Sequence, residues 1–260
     1  MPDSPRRRRL RAAALLAALA LPGLGAGCGG SSGPVTLTVL ATSSLTEVFG
    51  EMGTAYHQEN PGVRLRFVFG GSAEMTDRLS EHAPADVLVT ADAASMKEVS
   101  ADLAGRPRTV THDTLTIAVG PGNPRRIRSL RDLRRPGLRV AVGAGSVPVG
   151  RYTRRVLANA GLTVRWTSEE ISARAVLDRI RTGEADAGIV YITDLRSAGI
   201  AASSVAIPAD LNVTAAFPAA VVGDSGHRDL AGAFVSWLLT PAAQKLFRKY
   251  GFPSPPADRG

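Results

Sequence analysis

The chain has 260 residues, a formal net charge of +8 and one cysteine, with 44% hydrophobic and 5% aromatic residues. That length suffices for one large domain or two small lobes, and a lone cysteine excludes a disulfide framework, so stability must come from burial. Five arginines and one aspartate fall in residues 1–27, leaving +4 on the remainder; its arginines are dispersed and rarely flanked by aromatics, which argues against nucleic-acid binding.

Arg6–Arg9 and Arg11 form a basic start, and Ala12–Leu21 is an apolar run of ten residues, too short to cross a bilayer but suited to the core of an export signal. Leu24-Gly25-Ala26-Gly27-Cys28 follows, then the flexible Gly29-Gly30-Ser31-Ser32-Gly33. The small-small-Cys ending resembles the bacterial lipoprotein cleavage box, in which Cys28 is lipidated. Gly25 stands where a larger aliphatic residue is usual, which leaves ordinary cleavage with a free cysteine open. The expected organisation is a signal peptide over 1–28 and a tether over 29–34.

Strands are expected at Thr36–Ala41, Val63–Phe69, Asp86–Thr90, Leu115–Val119, Arg139–Val142, Thr163–Thr167, Ala187–Tyr191 and Ala215–Val222. Helical stripes lie between them. Leu45, Val48, Phe49, Met52, Ala55 and Tyr56 form the first, ended by Asn60-Pro61-Gly62. Val149, Tyr152, Val156, Leu157 and Ala160 form another, with Pro148 at its start and Gly161 as its stop. Ala173, Val176, Leu177 and Ile180 form a third, closed by Gly183, and Thr240-Pro241 opens the last helix. Alternation of strand and helix argues for parallel or mixed sheets with helices on both faces. Two stretches read as crossings between lobes: the approach to Thr114-Leu115-Thr116 and the return at Ala215–Pro218. Pro218 suits an edge or a hinge. The predicted lobes are 35–114 plus 218–260, and 115–217, with a cleft between them.

Four strand-to-helix turns carry small or hydroxyl residues: Thr42-Ser43-Ser44, Gly70-Gly71-Ser72, Gly143–Gly150 and Ser172-Ala173. Such turns aim helix N-termini at the carboxyl ends of strands, where open α/β sheets bind ligands. Several together suggest an anion site built from backbone and hydroxyl donors. Each has an ordinary reading as well. Ser44 with Glu47 has capping-box spacing, Ser72 fits a helix cap, and Tyr191 at the end of an apolar strand fits packing.

The stretches Ala41–Leu45, Ala83–Asp92, Val140–Gly143 with Val147–Tyr152, Thr182–Tyr191 and Lys249–Phe252, in this order and spacing, resemble the periplasmic molybdate-binding proteins of ABC importers along essentially the whole mature chain. The resemblance implies an α/β, two-lobed periplasmic-binding-protein fold (type II), with mixed sheets, helices on both faces and a ligand cleft between lobes. It implies that the oxyanion is held by the serines Ser44 and Ser72, the main-chain amides of Val149 and Ala173, and the hydroxyl of Tyr191. Molybdenum enters only as molybdate, through these same residues, and tungstate is its near equivalent. It implies no cofactor and no bond-making chemistry: the expected protein is a monomeric, extracytoplasmic, lipid-anchored solute-binding protein that delivers the anion to a permease and its ATPase. The second loop departs from the family's serine-rich pattern, with Glu74 two residues after its one hydroxyl. A glutamate there would suit the residual proton of phosphate, although a first-turn glutamate normally faces water.

Rival readings are a binding protein for sulfate or phosphate, or a secreted serine hydrolase. The G-x-S-x-G match, Gly29–Gly33, lies in the tether with no strand before it. Gly223-Asp224-Ser225-Gly226-His227 has a serine and a histidine too close in sequence to read as a triad on that basis. Gly143-Ala144-Gly145 lacks the third glycine of a dinucleotide fingerprint, Pro148 standing in its place.

Overall fold

The computed structural model describes residues 33–197 and 199–253; the expected signal peptide, Cys28 and most of the tether lie outside the described residues. In chain order the strands are β1 (Val35–Thr42), β2 (Val63–Gly70), β3 (Val87–Val89), β4 (Leu103–Val119), β5 (Val140–Gly143), β6 (Ser168–Glu170), β7 (Ala187–Tyr191), β8 (Ser203–Ala206) and β9 (Thr214–Val222). The helices are α1 (Thr46–Glu59), α2 (Ser72–Ser80), α3 (Ala93–Glu98), α4 (Pro148–Asn159), α5 (Ala173–Arg181), α6 (Ile192–Ser197), α7 (Arg228–Trp237) and α8 (Pro241–Lys249).

The strands run in the order β2-β1-β3-β9-β4-β7-β5-β6, with β8 also on β4. The long strand β4 joins two sheets. Its Leu103–Thr114 half pairs antiparallel with β9, and from Leu115 onward it pairs antiparallel with β7 and β8 instead. β1 lies parallel to β2 and β3 in the first sheet, and β5 parallel to β6 and β7 in the second. Mixed pairing with helices between strands gives the two-lobed α/β fold that the alternation implies.

β1 is buried without interruption from Leu37 to Thr42, and its successive side chains point to opposite faces, each covered by helices. Leu37, Val39 and Ala41 pack under α1, α7 and α8 with Phe49, Phe234 and Phe247. Leu40 packs on the opposite face with Met75, Leu88 and Met96, from α2, β3 and α3. In the second lobe Val176, Leu177 and Ile180 of α5 bury against Ala118, Ala141 and Val190. Those three apolar positions fall on one helical face, which is why so short and charged a helix is retained.

Four sequence expectations change. Thr163–Thr167 is not a strand; the residues pairing with β5 are Ser168–Glu170, whose polar Ser-Glu-Glu sequence carries no apolar alternation. β4 begins twelve residues before the expected Leu115, because its first half is rich in arginine and threonine and is exposed over residues 105–108. β8 is an additional short strand that takes the edge of β4 where β9 leaves it. Pro218 lies in a central strand rather than at an edge, tolerated because the β4–β9 register shifts between Thr109 and Thr111, opposite the proline.

The turn into α4 leaves less room for a Cβ than any other glycine position among the described residues. A Cβ on Gly150 would lie 1.8 Å from the Ala144 carbonyl oxygen and 2.4 Å from that of Gly143. Gly150→Ala is therefore expected to destabilise the fold by about 3 kcal/mol, the upper end of overpacking costs, and a urea midpoint unchanged from wild type would refute this packing.

Candidate functional site

Six chain segments converge on one small cavity. Its walls are Thr42, Ser44, Gly71, Ser72 and Ala91 from the first lobe, with Val147, Pro148, Val149, Ile171, Ser172, Ala173 and Tyr191 from the second. All five residues named from the sequence, Ser44, Ser72, Val149, Ala173 and Tyr191, meet there. The space left between them is about 10 Å³, close to what one water requires, so the two lobes stand close together. A tetrahedral oxyanion would need them to part and reclose.

Ser44 sits in a single 3-10 turn, Ser43–Leu45, between β1 and α1. It does not cap α1; its hydroxyl donates to Oδ2 of Asp194 at 2.9 Å, across the cleft. Ser72 is the first residue of α2, after the N-cap Gly71. Its Oγ accepts the Ala91 amide at 3.0 Å, which orients the hydroxyl and leaves its own proton available. Pro148 opens α4 with Val149 next to it. Because Arg151 N–H is the first amide to reach back into this helix, to the Val147 carbonyl, the Val149 N–H has no acceptor within the helix. In α5 the Ser172 side chain takes the Ala175 amide, leaving the Ala173 N–H likewise unclaimed by the helix. Both amides lie at the positive end of a helix dipole.

Tyr191 ends β7 with its ring 5.6 Å from Phe217 and 6.5 Å from Tyr152, both edge-on. Its hydroxyl is buried and has no hydrogen-bond partner. Burial, followed by the nearby Tyr152, Asp194, Asp92 and Asp113, pushes its pKa well above the ordinary value, so it remains a neutral O–H donor. A buried donor without an acceptor costs about 1–3 kcal/mol. Facing a ligand cavity, it is a donor awaiting an acceptor.

Two ion pairs bridge the lobes beside the cavity. Arg151 of α4 bonds Asp92, the N-cap of α3, at 2.7 Å and the Ser95 hydroxyl at 2.7 Å. On the other side Arg174 of α5 pairs with Glu47 of α1, and its Nε lies 3.8 Å from Oδ1 of Asp194. Neither arginine lines the cavity, so its charge is spent on lobe-to-lobe contacts while neutral donors line the interior. Burial raises Asp194 to about 6; the Ser44 bond and Arg174 oppose this and Glu47 adds to it. Asp113, on β4, is raised to about 8 by burial although it accepts from the Thr193 hydroxyl.

Sequence reasoning missed Asp194, Arg151, Arg174 and Glu47 as parts of this region. Thr193-Asp194 resembles any acidic first helical turn, and the cross-lobe pairs join residues 59 and 127 positions apart. Glu74 is turned away from the cavity and pairs with Arg78 one helical turn on, at 3.0 Å, with both side chains about half exposed. This geometry gives it no contact with an anion at the five donors. Ser225 and His227 both turn to Asp86: Ser225 Oγ donates to Oδ1 at 2.6 Å and His227 Nδ1 lies 3.4 Å from the same oxygen. The serine hydroxyl thus donates to the acid and accepts the backbone N–H of His227 at 3.0 Å rather than bonding its imidazole, which is not a nucleophile–base relation. Among the described residues no group of three or more His, Cys, Asp or Glu side chains could hold a metal ion, and no helix is long and apolar enough to cross a membrane.

A site of hydroxyls and helix-start amides, set between two sheets joined by crossing strands, defines a two-lobed binding protein. The profile of the bacterial extracellular solute-binding proteins matches residues 37–253. Over 229 residues the chain is 37% identical to the molybdate-binding protein ModA of Mycobacterium tuberculosis (strain ATCC 25618 / H37Rv), covering 87% of this chain and 88% of that one. Among solved structures, the periplasmic molybdate-binding protein of Azotobacter vinelandii aligns with a TM-score of 0.73 at 20% identity, over 85% of this chain and 100% of that one. The sulfate-binding protein SubI from Mycobacterium tuberculosis H37Rv aligns with a TM-score of 0.76 at 21% identity, over 86% and 88%. The chain belongs to the bacterial extracellular solute-binding protein family.

Proposed function

We propose that this protein captures molybdate outside the cytoplasm, closes its lobes over it and delivers it to an ABC importer. The observation that carries the reading is the donor set: Ser44, Ser72, Tyr191 and the amides of Val149 and Ala173 meet at one cavity whose walls include no lysine or arginine. A tetrahedral dianion accepts hydrogen bonds and donates none, so a shell made only of neutral donors matches it. Hydrogen bonds to a charged group contribute about 1.5–3 kcal/mol each, and five of them are ample to offset dehydration. Neutral donors leave no buried, unpaired cation when the anion departs.

Sulfate shares the charge and shape of molybdate and is smaller, so the gap between lobes must discriminate. The 37% identity to a protein named for molybdate favours the larger anion, whereas the likeness to a sulfate-binding structure, at 21% identity, extends to the fold alone. Phosphate retains a proton at neutral pH and needs an acceptor, a role for which Glu74 is turned the wrong way. In this reading the lobes meet near Asp113–Leu115 of β4 and the start of β9, the chain acts as a monomer, and lipidation at Cys28 holds it beside the permease and its ATPase. No reaction is catalysed. Thermal unfolding tests the ligand. Molybdate at about 1,000 times its Kd should stabilise the protein by about 4 kcal/mol, with sulfate and phosphate shifting the transition far less. Equal shifts with sulfate would replace molybdate in this account.

A further inference from the structure

Ser44 is the one proposed donor whose proton is already committed. A hydroxyl carries a single proton, and in this structure it is directed to Oδ2 of Asp194 at 2.9 Å. Both residues are buried, and Oδ1 of Asp194 has no hydrogen-bond partner. Its nearest cation is Arg174, whose Nε is 3.8 Å away and itself lacks a partner, while the other end of the guanidinium serves Glu47. An oxyanion arriving on the cavity side of Ser44 would meet a lone pair rather than a proton, with a buried carboxylate one hydroxyl further on.

We propose that Asp194 takes up a proton when the anion binds, so that its carboxylic acid donates to Ser44 Oγ and Ser44 turns its own proton to the anion. The inference rests on the oxyanion reading of the site. One proton enters from solvent, the anion keeps its charge, and no bond between heavy atoms forms or breaks. Asp194 is a positioning residue, because it acts through Ser44. The groups facing it come from every neighbouring element: Arg174 on α5, Glu47 on α1, Asp113 on β4 and Tyr191 on β7. Arg174 resists the protonation; Glu47 and the incoming anion promote it, and Asp113 adds to it wherever it is ionised. Asp194 already lies raised to about 6, so near neutral pH the empty site holds it mostly ionised, and a dianion nearby moves it further up.

The sign follows from linkage. A group whose pKa is higher in the complex makes binding tighter as pH falls through the window between its free and bound values. Calorimetric titration of the protein with sodium molybdate at pH 7.5, in buffers of different ionisation heat, should count close to one proton taken up per anion bound. The affinity should fall up to tenfold per pH unit between about pH 6.5 and 8.5. D194N, whose amide can donate permanently to Ser44 Oγ, should bind molybdate with no proton uptake and with a flat pH profile. Molybdate heat without proton uptake in the wild type would overturn the inference and leave the oxyanion reading standing. Uptake that persists in D194N would assign the proton to another group, Asp113 first, and also overturn it. No heat with molybdate, tungstate or sulfate would remove the site reading and this inference together. Because the proton count is made on the wild-type protein, the test holds even if D194N fails to fold.

Discussion

Gly71→Ala should weaken molybdate binding by roughly 10–100-fold while leaving the unliganded protein as stable as wild type. Gly71 is the N-cap of α2 with φ −65° and ψ 150°, a conformation that alanine adopts without strain. The obstacle lies across the cleft. A Cβ at this position would stand 2.6 Å from the Ile171 carbonyl oxygen, a backbone atom of the second lobe that cannot step aside like a flexible side chain. In the open protein that contact does not exist, so folding is not penalised. In the closed protein the extra methyl holds the lobes apart, at about 1–3 kcal/mol for an overpacked contact, which at about 1.4 kcal/mol per decade gives the stated loss. Titration with molybdate and urea unfolding of the same variant separate the two effects. A lowered urea midpoint with unchanged affinity would mean that Gly71 serves the fold of its own lobe and not closure.

Tyr191→Phe should lower affinity without lowering stability. The ring keeps its edge-on contacts with Phe217 and Tyr152, so packing is preserved. The hydroxyl, buried in the closed protein, has no partner there, so its removal costs the fold no hydrogen bond and the unliganded variant should be at least as stable as wild type. The anion loses a donor to a charged acceptor, about 1.5–3 kcal/mol or roughly 10–100-fold in Kd. Unchanged affinity in this variant would take Tyr191 out of the site.

Most of the fold was legible because its core strands are apolar and its helices begin and end on recognisable residues. Ala187–Tyr191 is bounded as expected, Pro148 and Pro241 open their helices, and the Thr240 side chain accepts the Ala243 amide as an N-cap should. What stayed hidden was held by partners distant in sequence. Ser168–Glu170 is a strand because of β5 beside it, not because of its own composition, and the arginine- and threonine-rich half of β4 is ordered by β9. At the site, the resemblance named five of the twelve residues that line the cavity, since Ser44 and Ser72 alone also read as helix caps. Neither is a side-chain cap; each hydroxyl is engaged by the other lobe or the neighbouring loop, through Asp194 and the Ala91 amide. Asp194 itself was illegible, because nothing in Ile192-Thr193-Asp194-Leu195 separates a carboxylate buried against a serine 150 positions away from an ordinary helix-start acid. Gly71 was legible only as a departure from a serine-rich pattern; its meaning lies in how near the Ile171 carbonyl comes.

In the proposed function, neutral donors from two lobes close on one tetrahedral dianion and select molybdate by fit. Its most direct test is calorimetric titration of the protein with sodium molybdate, alone and in excess sulfate and phosphate. Tight binding of one molybdate per chain that survives both competitors is the expected result. Binding of sulfate or phosphate with no heat from molybdate would contradict it, preserving the fold and overturning the ligand.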